Sequence, residues 1–186
     1  MNKYKMFLEH CFDIGSFLQE LETSGAVSLP MLTENFRQQL EAEAIKLKAW
    51  AKTEGSGVCT FMQFSPTSLY TSLKREFMNS RIKAANITDP NQMILKKYYP
   101  VSLMNPHKDS PFVKGVVYNF QISGSASFYL CDPDGTNRHN IDTTPGNLIV
   151  FPGHNLVGKK GIIEPPYHGV DNVTADRYSL LLFNCI

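Results

Sequence analysis

The chain has 186 residues, 42% of them apolar and 19% charged, with 18 Lys and Arg against 17 Asp and Glu. That length suits one domain, residues 1–186, with a proper core, and a net charge of +1 excludes a broadly basic nucleic-acid clamp and an acidic disordered tail. Gly 12 and Pro 11 exclude collagen-like and low-complexity chains, and the longest apolar run, Tyr178-Ser179-Leu180-Leu181-Leu182-Phe183, is too short to span a membrane.

At the N-terminus, Lys3 and Lys5 precede only Met6-Phe7-Leu8 before Glu9 and His10, so no apolar signal-peptide core forms. Asp13 is placed to cap a helix with Ile14, Phe17, Leu18 and Leu21 at helical spacing, and Gly25 stands beyond its end. Residues 26–29 read as a short strand stopped by Pro30. A second helix follows Thr33, with Phe36, Leu40, Ala44, Leu47 and Ala51 on one stripe, until Gly55-Ser56-Gly57. A third is expected from Ser65 as N-cap and Pro66 at the first helical position, carrying Leu69, Leu73 and Phe77. Lys74, Arg75, Arg81 and Lys83 form its solvated polar face.

The character changes near residue 90. Residues 1–90 read as a helical N-terminal layer, and 91–186 as short strands and turns. Candidate strands are 93–99, 113–122, 125–131, 147–151 and 177–183. The breaks hold Asn105-Pro106, Ser123-Gly124, Asp132-Pro133-Asp134-Gly135 and Pro145-Gly146, all turn formers. Such spacing favours a β-sandwich or barrel over a parallel α/β sheet. The expected class is mainly β with N-terminal helices. Cys11, Cys59, Cys131 and Cys185 form no CxxC pair, which disfavours a zinc knuckle and a secreted disulfide scaffold. Reduced thiols in a cytoplasmic protein are expected.

Chemistry enters at Pro106-His107-Lys108-Asp109. On an extended chain His107 and Asp109 point the same way, so an imidazole nitrogen and a carboxylate oxygen reach one metal ion. The spacing alone is unspecific, since a surface hydrogen-bonded pair has the same pattern. Further on come Tyr167-His168-Gly169-Val170 and a strand that opens Arg177-Tyr178-Ser179. Arg177 and Ser179 share a face and offer a planar fork and a hydroxyl, donors suited to a carboxylate. A buried arginine without an acid partner is costly, so an anionic ligand is its natural counter-ion. Two histidines and one carboxylate make a facial triad with open positions, the arrangement of oxygen-activating non-haem iron.

Joined in this order, His107-x-Asp109, His168 and Arg177-x-Ser179 resemble the signature of the 2-oxoglutarate/Fe(II)-dependent oxygenase superfamily. Pro145-Gly146-Asn147-Leu148-Ile149-Val150-Phe151-Pro152-Gly153 is similar to the strand preceding the second ligand histidine in prolyl-hydroxylase-like members. Lys97-Tyr98-Tyr99-Pro100 resembles the strand that carries a co-substrate-binding tyrosine in AlkB-like members. The resemblance covers residues 92–186 well and the first half only in general plan. It implies a double-stranded β-helix (jelly roll) core, with Fe(II) on His107, Asp109 and His168. It also implies 2-oxoglutarate as co-substrate on Arg177, Ser179 and Tyr98, and O2 as the oxidant. Decarboxylation to succinate would then be coupled to oxidation of a substrate C–H bond, chiefly hydroxylation. Ferrous iron suits the reducing compartment that the thiols suggest. Asp109 disfavours the halide-binding variant of the family, which has Gly or Ala there.

For the third ligand, His154 competes with His168. The family's second histidine often follows the Phe-Pro strand closely, which favours His154. Its usual distance to the arginine favours His168, as does Gly169-Val170. On the His168 reading, residues 155–167 are a loop inserted beside the iron, and such loops commonly bind substrate. His139 reads as a loop residue and His10 as terminal surface. Tyr98 and Tyr99 exchange places under a one-residue register error. With Tyr98 inward, Lys96 also serves the ligand or emerges at the rim. Asn119 and Gln121 share the face opposite Tyr118 and Phe120, and line either a substrate pocket or an edge in water. AlkB-like nucleic-acid demethylases carry a second arginine where this chain has Phe183, so nucleic acid is not favoured. A small-molecule, amino-acid or peptide substrate is expected instead. The remaining alternative is a non-catalytic jelly-roll metal- or ligand-binding protein, although the cupin pattern of an HxH pair with a glutamate is absent. The sequence specifies no oligomeric state.

Overall fold

The structure is a computed structural model of the 186-residue chain, and it describes Leu8 and residues 13–48, 50–53, 57–80 and 87–186. The rest of the stretch read for a signal peptide lies outside the described residues, as do Cys11, Gly55, Ser56, Arg81 and Lys83.

In chain order the first elements are α1 (Ile14–Ser24), β1 (Val27–Pro30), α2 (Glu34–Lys46), β2 (Ala51–Thr53), β3 (Val58–Phe61) and α3 (Leu69–Ser80). Next come β4 (Gln92–Tyr98), β5 (Met104–His107), β6 (Val113–Ser123), β7 (Ser127–Cys131) and β8 (His139–Ile141). The chain ends with β9 (Asn147–Pro152), β10 (Leu156–Val157), β11 (Ile162–Ile163), β12 (Tyr167–Asp171) and β13 (Arg177–Cys185). These strands build a seven-stranded sheet, β1-β9-β6-β13-β4-β3-β2, a four-stranded sheet, β5-β12-β7-β8, and the small hairpin β10-β11. All of their pairings are antiparallel. The class is mainly β with N-terminal helices, and two facing sheets form the jelly-roll core.

Side-chain alternation gives the large sheet two apolar faces. Tyr118, Phe120, Leu148, Val150, Leu180 and Leu182 join Leu21, Phe36, Leu40, Leu73 and Phe77 of the helices in one buried cluster. Val117, Ile149, Phe151 and Leu181 join Phe128, Leu130, Ile141 and Val170 of the small sheet in another. Helices therefore close one side of the large sheet, and the second sheet closes the other.

Several local expectations shift. The second helix stops at Lys46, with Leu47 extended at φ −70° and ψ 137°, and Ala51 opens a strand instead. The third helix starts at Leu69 rather than Pro66, because Ser68 and Glu43 supply its cap. Ser68 Oγ accepts from Tyr70 N at 3.1 Å, and the Glu43 carboxylate accepts from Leu69 N at 3.0 Å. The strand expected from residue 125 begins at Ser127. His139 lies in β8 rather than in a loop. Residues 155–167 are no open loop: they contain the β10-β11 hairpin, Leu156 joins the helix-side core, and Lys160 N donates to Glu22 of α1 at 3.1 Å. Cys59, Cys131 and Cys185 are free. Among the described residues no helix is long and apolar enough to cross a membrane.

Candidate metal and carboxylate site

β5 and β12 are neighbours in the small sheet, and their register sets His107 opposite His168. The two ring centroids are 4.6 Å apart. Asp109, just past the end of β5, brings Oδ1 to 3.9 Å from His168 Nε2. One ligand atom from each of the three residues lies within 4.8 Å of the other two. His107 and Asp109 are half-buried, and His168 is only 6% exposed. Phe128 and Phe151 flank the His168 ring at centroid distances of 5.5 and 5.1 Å.

Each imidazole is oriented by the main chain. His107 Nδ1 lies 2.8 Å from the Asn105 carbonyl oxygen, and His168 Nδ1 lies 3.2 Å from that of Pro166. A carbonyl only accepts, so each Nδ1 carries the proton and each Nε2 keeps a free lone pair. Burial lowers the His168 pKa from 6.5 to about 4; Asp109 opposes that shift, while His107 adds to it. The ring is therefore neutral near pH 7, as metal ligation requires. Two imidazole nitrogens and a carboxylate oxygen fit Fe(II) or a similar divalent ion.

His154 stands outside this cluster. Its Nε2 donates to the Asp109 carbonyl oxygen at 3.1 Å, and its backbone bonds to Val113 and Gly115. It braces the main chain that carries Asp109.

Beside the triad, between the two sheets, is a narrow cleft of about 10 Å³, room for about one water, lined by Lys96, Tyr98 and Asn119 from the large sheet and by Met104, Phe128 and Val170 from the small one. The β13 register sets Arg177 beside Tyr98 and Ser179 beside Lys96 on β4, and sets Ser179 beside Gln121 and Leu181 beside Asn119 on β6. The residues singled out from sequence thus converge on one sheet face. Tyr98 is buried there, whereas Tyr99 is 38% exposed. Lys97 faces away and pairs with Asp176 at 2.8 Å.

Arg177 is 1% exposed, with Cζ 4.8 Å from the centroid of the Tyr98 ring. Its Nη2 donates to Gln121 Oε1, while Nη1 has no partner among the described residues. Among the described residues no carboxylate lies within 4.0 Å of it. Burial pushes its pKa down from the ordinary value, with Tyr98 acting the other way. Ser179 Oγ and Asn119 Oδ1 are also buried and, among the described residues, unpartnered. Buried polar groups are normally satisfied, so an idle guanidinium N–H and an idle hydroxyl on one face fit a carboxylate.

Sequence reasoning missed the Asn105 and Pro166 carbonyls, because every residue type supplies a carbonyl. It also missed Phe128 and Phe151, whose apolar character marks core and site wall alike. The one available signal was position, each carbonyl standing two residues before its histidine.

No family model matches the chain, and no curated protein matches it. Solved structures do match. A prolyl-4-hydroxylase from Pseudomonas putida superposes with TM-score 0.65 at 14% identity, covering 92% of this chain and 98% of that one. A prolyl hydroxylase from Trichoplax adhaerens, in complex with a hypoxia inducible factor peptide fragment, gives 0.67 at 13% identity, covering 90% and 86%. HygX from Streptomyces hygroscopicus, with nickel and 2-oxoglutarate bound, gives 0.68 at 9% identity, covering 91% and 86%. The chain has the fold of these 2-oxoglutarate/Fe(II) oxygenase structures, and it carries the candidate metal cluster His107, Asp109 and His168.

Proposed function

We propose that the protein is a 2-oxoglutarate-dependent non-haem iron dioxygenase that hydroxylates, or otherwise oxidises at a C–H bond, a small-molecule, amino-acid or peptide substrate. The reading rests on the close approach of His107, Asp109 and His168, within 4.8 Å, beside a sheet face with a buried guanidinium whose Nη1 is unpartnered among the described residues. The three residues would hold Fe(II) as a facial set and leave its other positions open. Arg177 and Ser179, with Tyr98, would anchor the 2-oxoglutarate carboxylate through Nη1–H and Oγ–H.

When bound, iron with 2-oxoglutarate and O2 supplies the oxidant for the C–H bond. The chain's own residues prepare for it. Asn105 and Pro166 fix the imidazole tautomers, His154 holds the Asp109 main chain, and Phe128 and Phe151 keep water from His168. Asn119 Oδ1 is free to accept from a substrate N–H or O–H. The peptide in the Trichoplax complex and the hygromycin B bound to HygX support a peptide or small-molecule substrate. The free thiols are in keeping with a cytoplasmic, reducing setting.

Succinate formation from 2-oxoglutarate in air, with added Fe(II), tests the reading. Arg177→Ala should lose turnover at low 2-oxoglutarate while its iron affinity stays at the wild-type value. Full turnover in that variant would sink the co-substrate assignment.

A further inference from the structure

The buried guanidinium of Arg177 is held by a neutral side chain. Gln121 Oε1 accepts from Arg177 Nη2, and Gln121 Nε2 donates to the Asn119 main-chain oxygen at 3.1 Å. Those two bonds fix the amide orientation, because a guanidinium cannot accept and a carbonyl cannot donate. Gln121 is 2% exposed, so water does not compete for its oxygen. A carboxylate is the ordinary partner for a buried guanidinium, and glutamate has nearly the shape of glutamine. With glutamine here, the Arg177 charge stays uncompensated among the described residues, and Nη1 and Ser179 Oγ stay idle.

The backbone is shaped to present this amide. Tyr178 pairs with Ser123 but Ser179 pairs with Gln121, so Ile122 is an extra residue in β6, a bulge. The main-chain oxygens there find partners outside β13. Gly146 N donates to Gln121 O at 2.8 Å, and Arg37 Nη1 reaches from α2 to Ile122 O at 2.8 Å. Arg37 is itself held by Glu34 at 2.7 Å and Glu41 at 3.1 Å. Ile122 lies in the helix-side core with Tyr118 and Phe120, while Gln121 turns to Arg177.

We propose that Gln121 is a positioning residue for Arg177: it aims the guanidinium and, being neutral, leaves its full charge for the carboxylate of the co-substrate. This inference rests on the function proposed above and adds the reason for an amide at this position.

The test is an anaerobic titration of the Fe(II)-loaded protein with 2-oxoglutarate in wild type, Gln121→Glu and Gln121→Met, with iron affinity and thermal midpoint measured alongside. In Gln121→Glu the new carboxylate takes the charge, so 2-oxoglutarate affinity should fall about a hundredfold. Iron affinity should not change, and the thermal midpoint should hold or rise. A merely structural role would not separate these three readouts. Gln121→Met keeps the charge and loses the aim, and its affinity should fall about tenfold. Affinity equal to wild type in either folded variant overturns the proposal, as does a parallel loss of iron affinity and midpoint. Wild type that binds iron but no 2-oxoglutarate would overturn the proposed function too, and that result is visible before any variant is compared.

Discussion

His168 and Arg177 are both buried and titratable, and burial acts on them with different outcomes. The imidazole gives up its charge: its pKa falls from 6.5 to about 4. Between those values the unfolded chain binds a proton that the folded chain refuses. Stability from this group is therefore fully present above pH 6.5 and is lost as pH falls toward 4. Across the whole window the loss is about 3 kcal/mol, at about 1.4 kcal/mol per pH unit. Urea midpoints of metal-free protein should fall over that range, and His168→Gln should flatten the fall; equal slopes would contradict it. Arg177 stays charged at any ordinary pH, so its burial demands a counter-ion rather than a proton loss. The pair Arg177 with Ser179 was legible because residues two apart share a strand face, and Asp109, just past the end of β5, keeps to the His107 side without being in the strand. The choice of His168 over His154 rested on the resemblance, through the distance to Arg177 and Gly169-Val170; its geometric reason, β12 lying beside β5, is a pairing between distant segments that the sequence does not display.

At the scale of elements, β12 threads between β5 and β7 with little room. A Cβ at Gly169 would lie 2.5 Å from Tyr129 Oη and 2.9 Å from the Met104 carbonyl oxygen. Both neighbours belong to the flanking strands, so a methyl group must push β12 away from β5 and separate His168 from His107. Gly169→Ala should destabilise the protein by about 1–3 kcal/mol and weaken metal binding by more than the stability loss alone explains. Calorimetric titration with Fe(II) checks this; wild-type metal affinity in the variant would refute it. Long strands such as β6 and β13 were readable from alternation and flanking turns. β2, β8, β10 and β11 hold only two or three residues each, too few for a period to show. The start of α3 was misplaced because its cap includes Glu43, which comes from another helix.

For the whole molecule, what matters is that one sheet serves two cores. Its helix-side face is apolar throughout the strands that matter, and its other face changes from Val117, Ile149 and Phe151 to Asn119, Gln121, Ser179 and Arg177. That change of polarity places the candidate site between the two sheets rather than on a surface loop. The fold class was legible from the run of strands after residue 90. The sheet edges were not, for β1 and the β2-β3 hairpin come from the first ninety residues and extend the large sheet at both ends. The measurement that goes straight to the central claim is the visible spectrum of anaerobic protein given Fe(II) and then 2-oxoglutarate. A metal-to-ligand charge-transfer band is predicted in wild type and in His154→Ala, and its absence is predicted in His168→Ala. Folded wild-type protein that binds iron without the band, or a band that survives in His168→Ala and vanishes in His154→Ala, would contradict the account.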